Sequence, residues 1–312
     1  GIAFTVLMYG YFLQPSNAYP DGILNPEGYR SASWIGAILI AVTVLISALG
    51  MHRYVPLLSQ AREMRSLSPK EALATVRGVF ASSSFRALML YALAYRSTDG
   101  FFAALVAYMW TYFWLIDTTQ IAMLSAVNFL GAIVAMVVAP RLARNHDKRT
   151  VVIWTNLGFL LTGCTPIMLR LAGLIPDDAV FPTLLSIAVF DIALIVVTLS
   201  LMNSMIADIV EDVQKADGLR HEGAVVSAQT FVNKLSTAAG VWSAGLLITL
   251  VGFPAGVPVS QVPTEKVSLL ASSYLGVLFL SIMLCVLLLL RYKLGRQAHL
   301  ENLKMIQEAA RG

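Results

Sequence analysis

Long apolar runs separated by short charged segments set the pattern of this chain. Runs near 20 residues with little or no charge fall at about 31 to 50, 87 to 115, 120 to 140, 150 to 169, 181 to 207, 223 to 252 and 268 to 290. Each is long enough, at about 1.5 Å per helical residue, to cross a hydrocarbon core about 30 Å thick. An eighth run, Gly1 to Leu13, is shorter. Because the chain starts with glycine inside that run and shows no signal peptide, it reads as the C-terminal part of a longer protein. The pattern predicts an all-α polytopic membrane protein with about seven complete transmembrane helices plus one truncated.

Composition agrees with lipid as the solvent. Of 312 residues, 57% are hydrophobic and 13% charged, against about 25% charged in soluble domains. The net charge of +4 does not point to nucleic acid once its distribution is considered. The connections at 51 to 86, 141 to 149 and 208 to 222 and the tail from Arg291 hold 17 of the 22 cations, whereas the alternate connections hold only Arg30, Arg170 and Lys266. The positive-inside rule puts the first set in the cytoplasm, with the C-terminus, and suits a bacterial inner membrane. Cys164 and Cys285 both fall in apolar runs and read as small core residues. There is no GxSxG, HExxH or CxxC, and His221 has no second histidine at helical spacing, so no enzyme, metal or cofactor is expected. Charged rings or a filter loop, the signs of a channel, are missing too.

Four charges resist that simple partition. Lys234 lies about 18 Å into its span, where an ammonium is costly unless it faces water or an anion. With Ser227, Thr230 and Thr237 it follows i, i+3, i+7 and i+10 spacing, a polar stripe suited to a cavity, flanked by Gln229 and Asn233, whose amides match hydroxyl-bearing ligands or pack helices together. Asp191, near mid-span, is at a similar depth and is expected to be protonated if it lacks a partner. Arg96 and Asp99, three apart, share a helix face and reach the same layer; Gly100 beside them is a candidate helix irregularity. Uncompensated charges at that depth cost several kcal/mol each, so Lys234 and one of Asp191 or Asp99 are expected to line one central polar cavity. Mid-membrane charges around a cavity point to transport.

Outside the spans, Asp208, Glu211, Asp212, Lys215, Asp217, Arg220 and Glu222 form a dense cluster. If Asp208 and Glu211 sit at a helix C-terminus, the dipole disfavours them by about 0.3 to 1 kcal/mol, and cations from Arg220 or the 141 to 149 loop are expected nearby. Such pairs close and open the inner gate of a rocking transporter. Ser68, Pro69, Lys70 and Glu71 make a capping box with proline at the first helical position, predicting a short helix in the long basic connection. The aromatic group Tyr108, Trp110, Tyr112, Phe113 and Trp114 reads as an interfacial belt.

The run from Asp208 through Glu211, Gly218, Arg220, Glu222, Gly223, Ser227, Gln229, Thr230 and Lys234 to Val251, Gly252 and Phe253 resembles the signature of the glycoside-pentoside-hexuronide:cation symporter family. That family, which includes melibiose permease, belongs to the major facilitator superfamily. The resemblance implies a twelve-helix transporter of two six-helix halves, coupling H⁺ or Na⁺ to a sugar or glycoside by alternating access, with the cation site in the N-terminal half. It implies that residues 1–50 end the N-terminal bundle, 51–86 form the cytoplasmic linker, and 87–312 form the C-terminal bundle and tail. The basic loop after the eighth helix, Pro140 to Arg149, keeps only the basic ends of the superfamily pattern. The alternative substrate is another amphiphile, such as a lysolipid.

Overall fold

A computed structural model describes residues 2–16, 19–20, 22–57, 83–217, 222–254 and 257–292. Among these the chain is helical, with no strand. The helices are α1 (Ile2–Leu7, continued by a π-turn over Met8–Phe12), α2 (Pro26–His52), α3 (Ser83–Tyr108, continued by a π-turn over Met109–Phe113), α4 (Thr118–Asn145), α5 (Lys148–Leu171), α6 (Asp177–Asp217), α7 (Glu222–Val251) and α8 (Thr264–Leu289). Every apolar run of the sequence lies on one of them. Six, α2 and α4 to α8, are long and apolar enough to cross a membrane. α3 is as long, with 26 residues, but less apolar. It is also the central helix of its unit, with Phe85, Leu88, Tyr91, Ala92 and Leu105 fully buried, and its polar residues Ser84 and Thr98 are buried in protein.

The chain divides into two compact units, residues 1–72 with 116–126, and residues 73–115 with 127–312. In the first, the N-cap Asn25 accepts from the amides of Glu27 and Gly28 at 3.1 and 3.2 Å, and Pro26 opens α2. Gly28 and Gly36 let the preceding segment lie against α2, since a Cβ on Gly28 would stand 2.2 Å from the Phe12 carbonyl. The predicted helix at Ser68 to Glu71 lies outside the described residues.

In the second unit α3 packs chiefly on α7, and α5 packs on α6 and α8. The α3–α7 contact has no room for side chains: a Cβ on Gly240 would sit 2.1 Å from the Ser97 carbonyl, and one on Gly100 2.4 Å from that of Thr237. Gly100 therefore marks a close approach of two regular helices, with no break in α3. α5 and α7 both end on a left-handed glycine, Gly173 (φ 70) and Gly252 (φ 62). After Gly252, the Phe253 amide returns to the Ile248 carbonyl at 3.0 Å and the Lys266 ammonium donates to the Val251 carbonyl at 2.6 Å. Val251, Gly252 and Phe253 thus make a helix stop.

Two expectations need correction. α6 runs 41 residues to Asp217, so Asp208 lies more than two turns inside the helix and the C-terminal dipole does not reach it. The aromatics are no belt: Tyr112, Phe113 and Trp114 are buried. The π-turn shifts the helical phase there, turning Tyr112 onto Phe253, with ring centroids 5.0 Å apart, and its hydroxyl donates to the Val257 carbonyl at 2.9 Å.

Candidate functional site

Between α3, α5, α6 and α8 lies a cavity of about 230 Å³. α3 contributes Tyr95, Thr98, Asp99, Phe102, Ala103 and Val106, and the wall is completed by Phe159, Ile195, Tyr274 and Ile282. Phe102 and Tyr274 meet edge-on with centroids 4.5 Å apart. Asp99 is the only ionisable carboxylate in this wall. It holds Arg96 at 3.5 Å, three residues back on the same helix face, yet keeps just over half its side chain exposed. Arg96 is mostly covered and its Nε is buried without a hydrogen-bond partner. The pair therefore offers an open carboxylate and an incompletely satisfied guanidinium beside a ring-sized, largely aromatic hollow.

Lys234 is not in that wall. The face of α7 that carries Ser236, Gly240 and Ala244 is buried on α3, while Thr230 and Lys234 lie on the exposed face. At 100° per residue Lys234 is about 120° around the helix from Gly240, so the glycine contact itself turns the lysine away. Along the axis Lys234 lies near the level of Asp99, since it is less than one turn from Thr237, which touches Gly100. The ammonium has no ion-pair partner among the described residues. A direct pair of Lys234 with Asp191 or Asp99, one form of the expected shared cavity, is not found among the described residues, because depth carries no information about helix rotation. Near it, Gln229 donates to Asn203 of α6 at 3.3 Å, the Thr230 hydroxyl returns to the Val226 carbonyl at 2.8 Å, and Asn233 Oδ1 is buried without a partner. Gln229 is thus a helix-packing contact, whereas Asn233 has an acceptor to spare.

Asp191 accepts a short hydrogen bond from the Thr162 hydroxyl of α5. Nothing in its position announced this partner, 29 residues earlier in the chain.

At the end of the unit where α4 turns into α5, the Lys148 ammonium lies 2.7 Å from both carboxylate oxygens of Asp208. The carboxylate is buried. Asp147 caps α5 through the Arg149 amide at 3.2 Å, which fixes Lys148 in the first turn and aims it across to α6. Arg149 also donates to the Leu290 carbonyl at the end of α8, at 3.1 Å. Of the expected gate residues, Arg220 lies outside the described residues, and the side chains of Glu211 and Glu222 do as well. At the opposite end Arg170, a cation of a connection between spans, is nearly covered. It donates to the Phe113 carbonyl at 2.9 Å and to Asp177 at 3.1 Å, beside a second cavity of about 490 Å³. Its signal was present in the sequence, as a single cation in an otherwise cation-poor connection.

A family model described as MFS/sugar transport protein matches residues 1–296. This chain belongs to the major facilitator superfamily. It is accordingly an integral membrane protein of a transporter family, all-α and polytopic, and the family description fits a small-molecule substrate better than a catalytic role. A search of curated proteins returns no match.

Proposed function

We propose that this protein is a cation-coupled symporter of a sugar or glycoside, of the glycoside-pentoside-hexuronide type, and that the chain supplies the end of one six-helix half (1–50), the linker (51–86) and the other half (87–312). The observation that carries the reading is the α3 cavity, with Asp99 open at its wall and aromatic rings around it. A pyranose ring presents C–H faces that stack on Tyr95, Phe102, Phe159 or Tyr274, and vicinal hydroxyls that a carboxylate accepts two at a time. A volume of about 230 Å³, below the roughly 300 to 1,000 Å³ of sites for drug-sized ligands, suits a single ring. Arg96, 3.5 Å away, orients the Asp99 carboxylate. Lys234 and Asn233, unpaired at the same depth, are available to the substrate or to the other half of the transporter. Thr230 extends that polar face. The bidentate Lys148–Asp208 pair acts as the inner gate, joined by Glu211, Arg220 and Glu222, in a protein of the bacterial inner membrane with its C-terminus in the cytoplasm. The H⁺ or Na⁺ site of the family type belongs to the N-terminal half.

Uptake of a panel of labelled mono- and disaccharides by cells carrying the full-length protein tests this. Asp99→Asn keeps the shape and removes the charge, and is expected to cut sugar uptake about 10- to 100-fold, the worth of one charged hydrogen bond of about 1.5 to 3 kcal/mol, with membrane insertion intact. Wild-type uptake by that variant ends the assignment of the cavity. The second reading, transport of a lysolipid-like amphiphile, draws on the apolar part of the wall, Phe102, Val106, Ile195 and Ile282. Inhibition of uptake by lysophosphatidylcholine and by no sugar in the panel would select it.

A further inference from the structure

Asp191 has no place in the sugar contacts above, yet its surroundings are built for something. Thr162 Oγ1 donates to Asp191 Oδ1 and also lies 3.1 Å from the Gly158 carbonyl and 3.3 Å from that of Phe159. A hydroxyl has one proton and two lone pairs, so Thr162 has a use for them in either state of the aspartate. When Asp191 is ionised, Thr162 donates to it. When Asp191 carries a proton, Asp191 donates to Thr162, and Thr162 turns its own hydrogen back to its helix carbonyls. Neither state leaves a buried donor without an acceptor, and neither requires a backbone shift. A carboxylate kept only as structural glue needs one such state, not two.

No lysine, arginine or histidine stands within ion-pairing distance of Asp191 among the described residues. The titratable groups within its electrostatic reach are Tyr274 of α8 and, beside that tyrosine, Cys164 of α5. α4, which touches α6 where Gly131 meets Val189 and Ile192, carries no charged residue between Ile121 and Pro140. On α3, Arg96 and Asp99 are engaged with each other, and Lys234 of α7 lies on the exposed face. Among the described residues a charge at Asp191 therefore meets no cation, which leaves a proton or a small cation to balance it. A metal-type cation wants about six oxygens, whereas Asp191 and Thr162 supply three, and no cluster of three or more acidic, histidine or cysteine residues able to hold a metal exists among the described residues.

The position couples this pair to the cavity. Ile195, one turn along α6 from Asp191, Phe159, one turn along α5 from Thr162, and Tyr274 all line it. We propose that Asp191 and Thr162 form a proton-binding site in the C-terminal bundle, one helical turn from the substrate cavity, that takes up and releases a proton during the transport cycle. It rests on the transport reading above. Uptake forms one O–H bond on Asp191 and breaks one in hydronium from the facing aqueous side, and release to the other side reverses it, with no electron transferred.

The test uses the full-length protein in liposomes with pyranine trapped inside and two variants, Asp191→Asn and Thr162→Val, with Thr162→Ser as the conservative control. Infrared titration should show a protonated-carboxyl band in wild type that Asp191→Asn lacks, and this readout needs no substrate. Sugar-driven proton movement should fall about tenfold or more in Asp191→Asn, while sugar exchange at equal concentrations on both sides stays within about twofold, as expected of a proton relay rather than a packing residue. Thr162→Val should move the pH midpoint of uptake and Thr162→Ser should restore it. An unchanged carboxyl band in Asp191→Asn, or wild-type proton movement and pH profile in that variant, overturns the proposal. If wild type carries no sugar, the transport reading falls, and the infrared titration still decides whether Asp191 takes up a proton.

Discussion

α6 holds two aspartates, 17 positions apart, that solve the same problem differently. Asp208 is buried at one end of the unit and meets an ammonium at 2.7 Å on both oxygens. Asp191, deep in the apolar stretch, meets a hydroxyl and no cation among the described residues. The first solution is a close bidentate contact between opposite charges; its Lys148 keeps about a quarter of its side chain exposed, so water helps both partners when the pair opens. The second, on the proposal above, tolerates either state of the aspartate. A gate is better served by a contact that is strong when made and solvated when broken, and a carrier by one that costs little to switch.

Breaking the stronger half should show the largest effect. Asp208→Ala leaves Lys148 without its anion and is expected to cost about 2 to 3 kcal/mol, below the 3 to 5 of a fully buried pair because Lys148 is partly solvated. The measurement is thermal unfolding of the purified protein in detergent. The double variant Asp208→Ala/Lys148→Met should recover most of that loss, and additive destabilisation would mean that the two side chains do not act as a pair. At the other aspartate, Thr162→Val should cost only about 0.6 kcal/mol, the usual worth of a hydrogen bond between membrane helices. A loss as large as that of Asp208→Ala would place Asp191 among the structural residues and erase the contrast. Smallest is the effect of salt. Raising ionic strength from about 0.1 to 1 M shortens the Debye length from about 10 to 3 Å, which should slightly weaken the Lys148–Asp208 end and leave the pH profile assigned to Asp191 unmoved, as read by uptake at matched osmolarity.

Much of the architecture was legible in the sequence because hydropathy is a one-dimensional signal. The run at 120 to 140 became α4 with a few residues added at each end, and the run at 268 to 290 became α8 with a few added at its start. Asp191, Arg96, Asp99 and Lys234 stood out for the same reason, since charge in an apolar run is visible without coordinates. Their relations were harder. The i, i+3 spacing of Arg96 and Asp99 was enough to pair them, because helix geometry decides that contact locally. Thr162 is one of many threonines in apolar runs, and nothing marks it as the partner of Asp191. The fate of Lys234 turned on Gly100 and Gly240, whose meaning depends on facing each other across two helices.

The sequence by itself determined which segments are helices, which residues pay to be in the membrane and, through the family match over 1–296, the kind of fold. These follow from transfer free energy and helical period, both properties of local sequence. Tertiary structure alone decided which way each polar side chain turns. The close approach of α3 and α7 at two glycines sets the rotation that takes Lys234 out of the cavity wall, and the packing of α5 on α6 gives Asp191 a hydroxyl instead of a cation. Rotation about a helix axis is set by complementary shape between segments far apart in the chain, and no run of residues read singly carries that information.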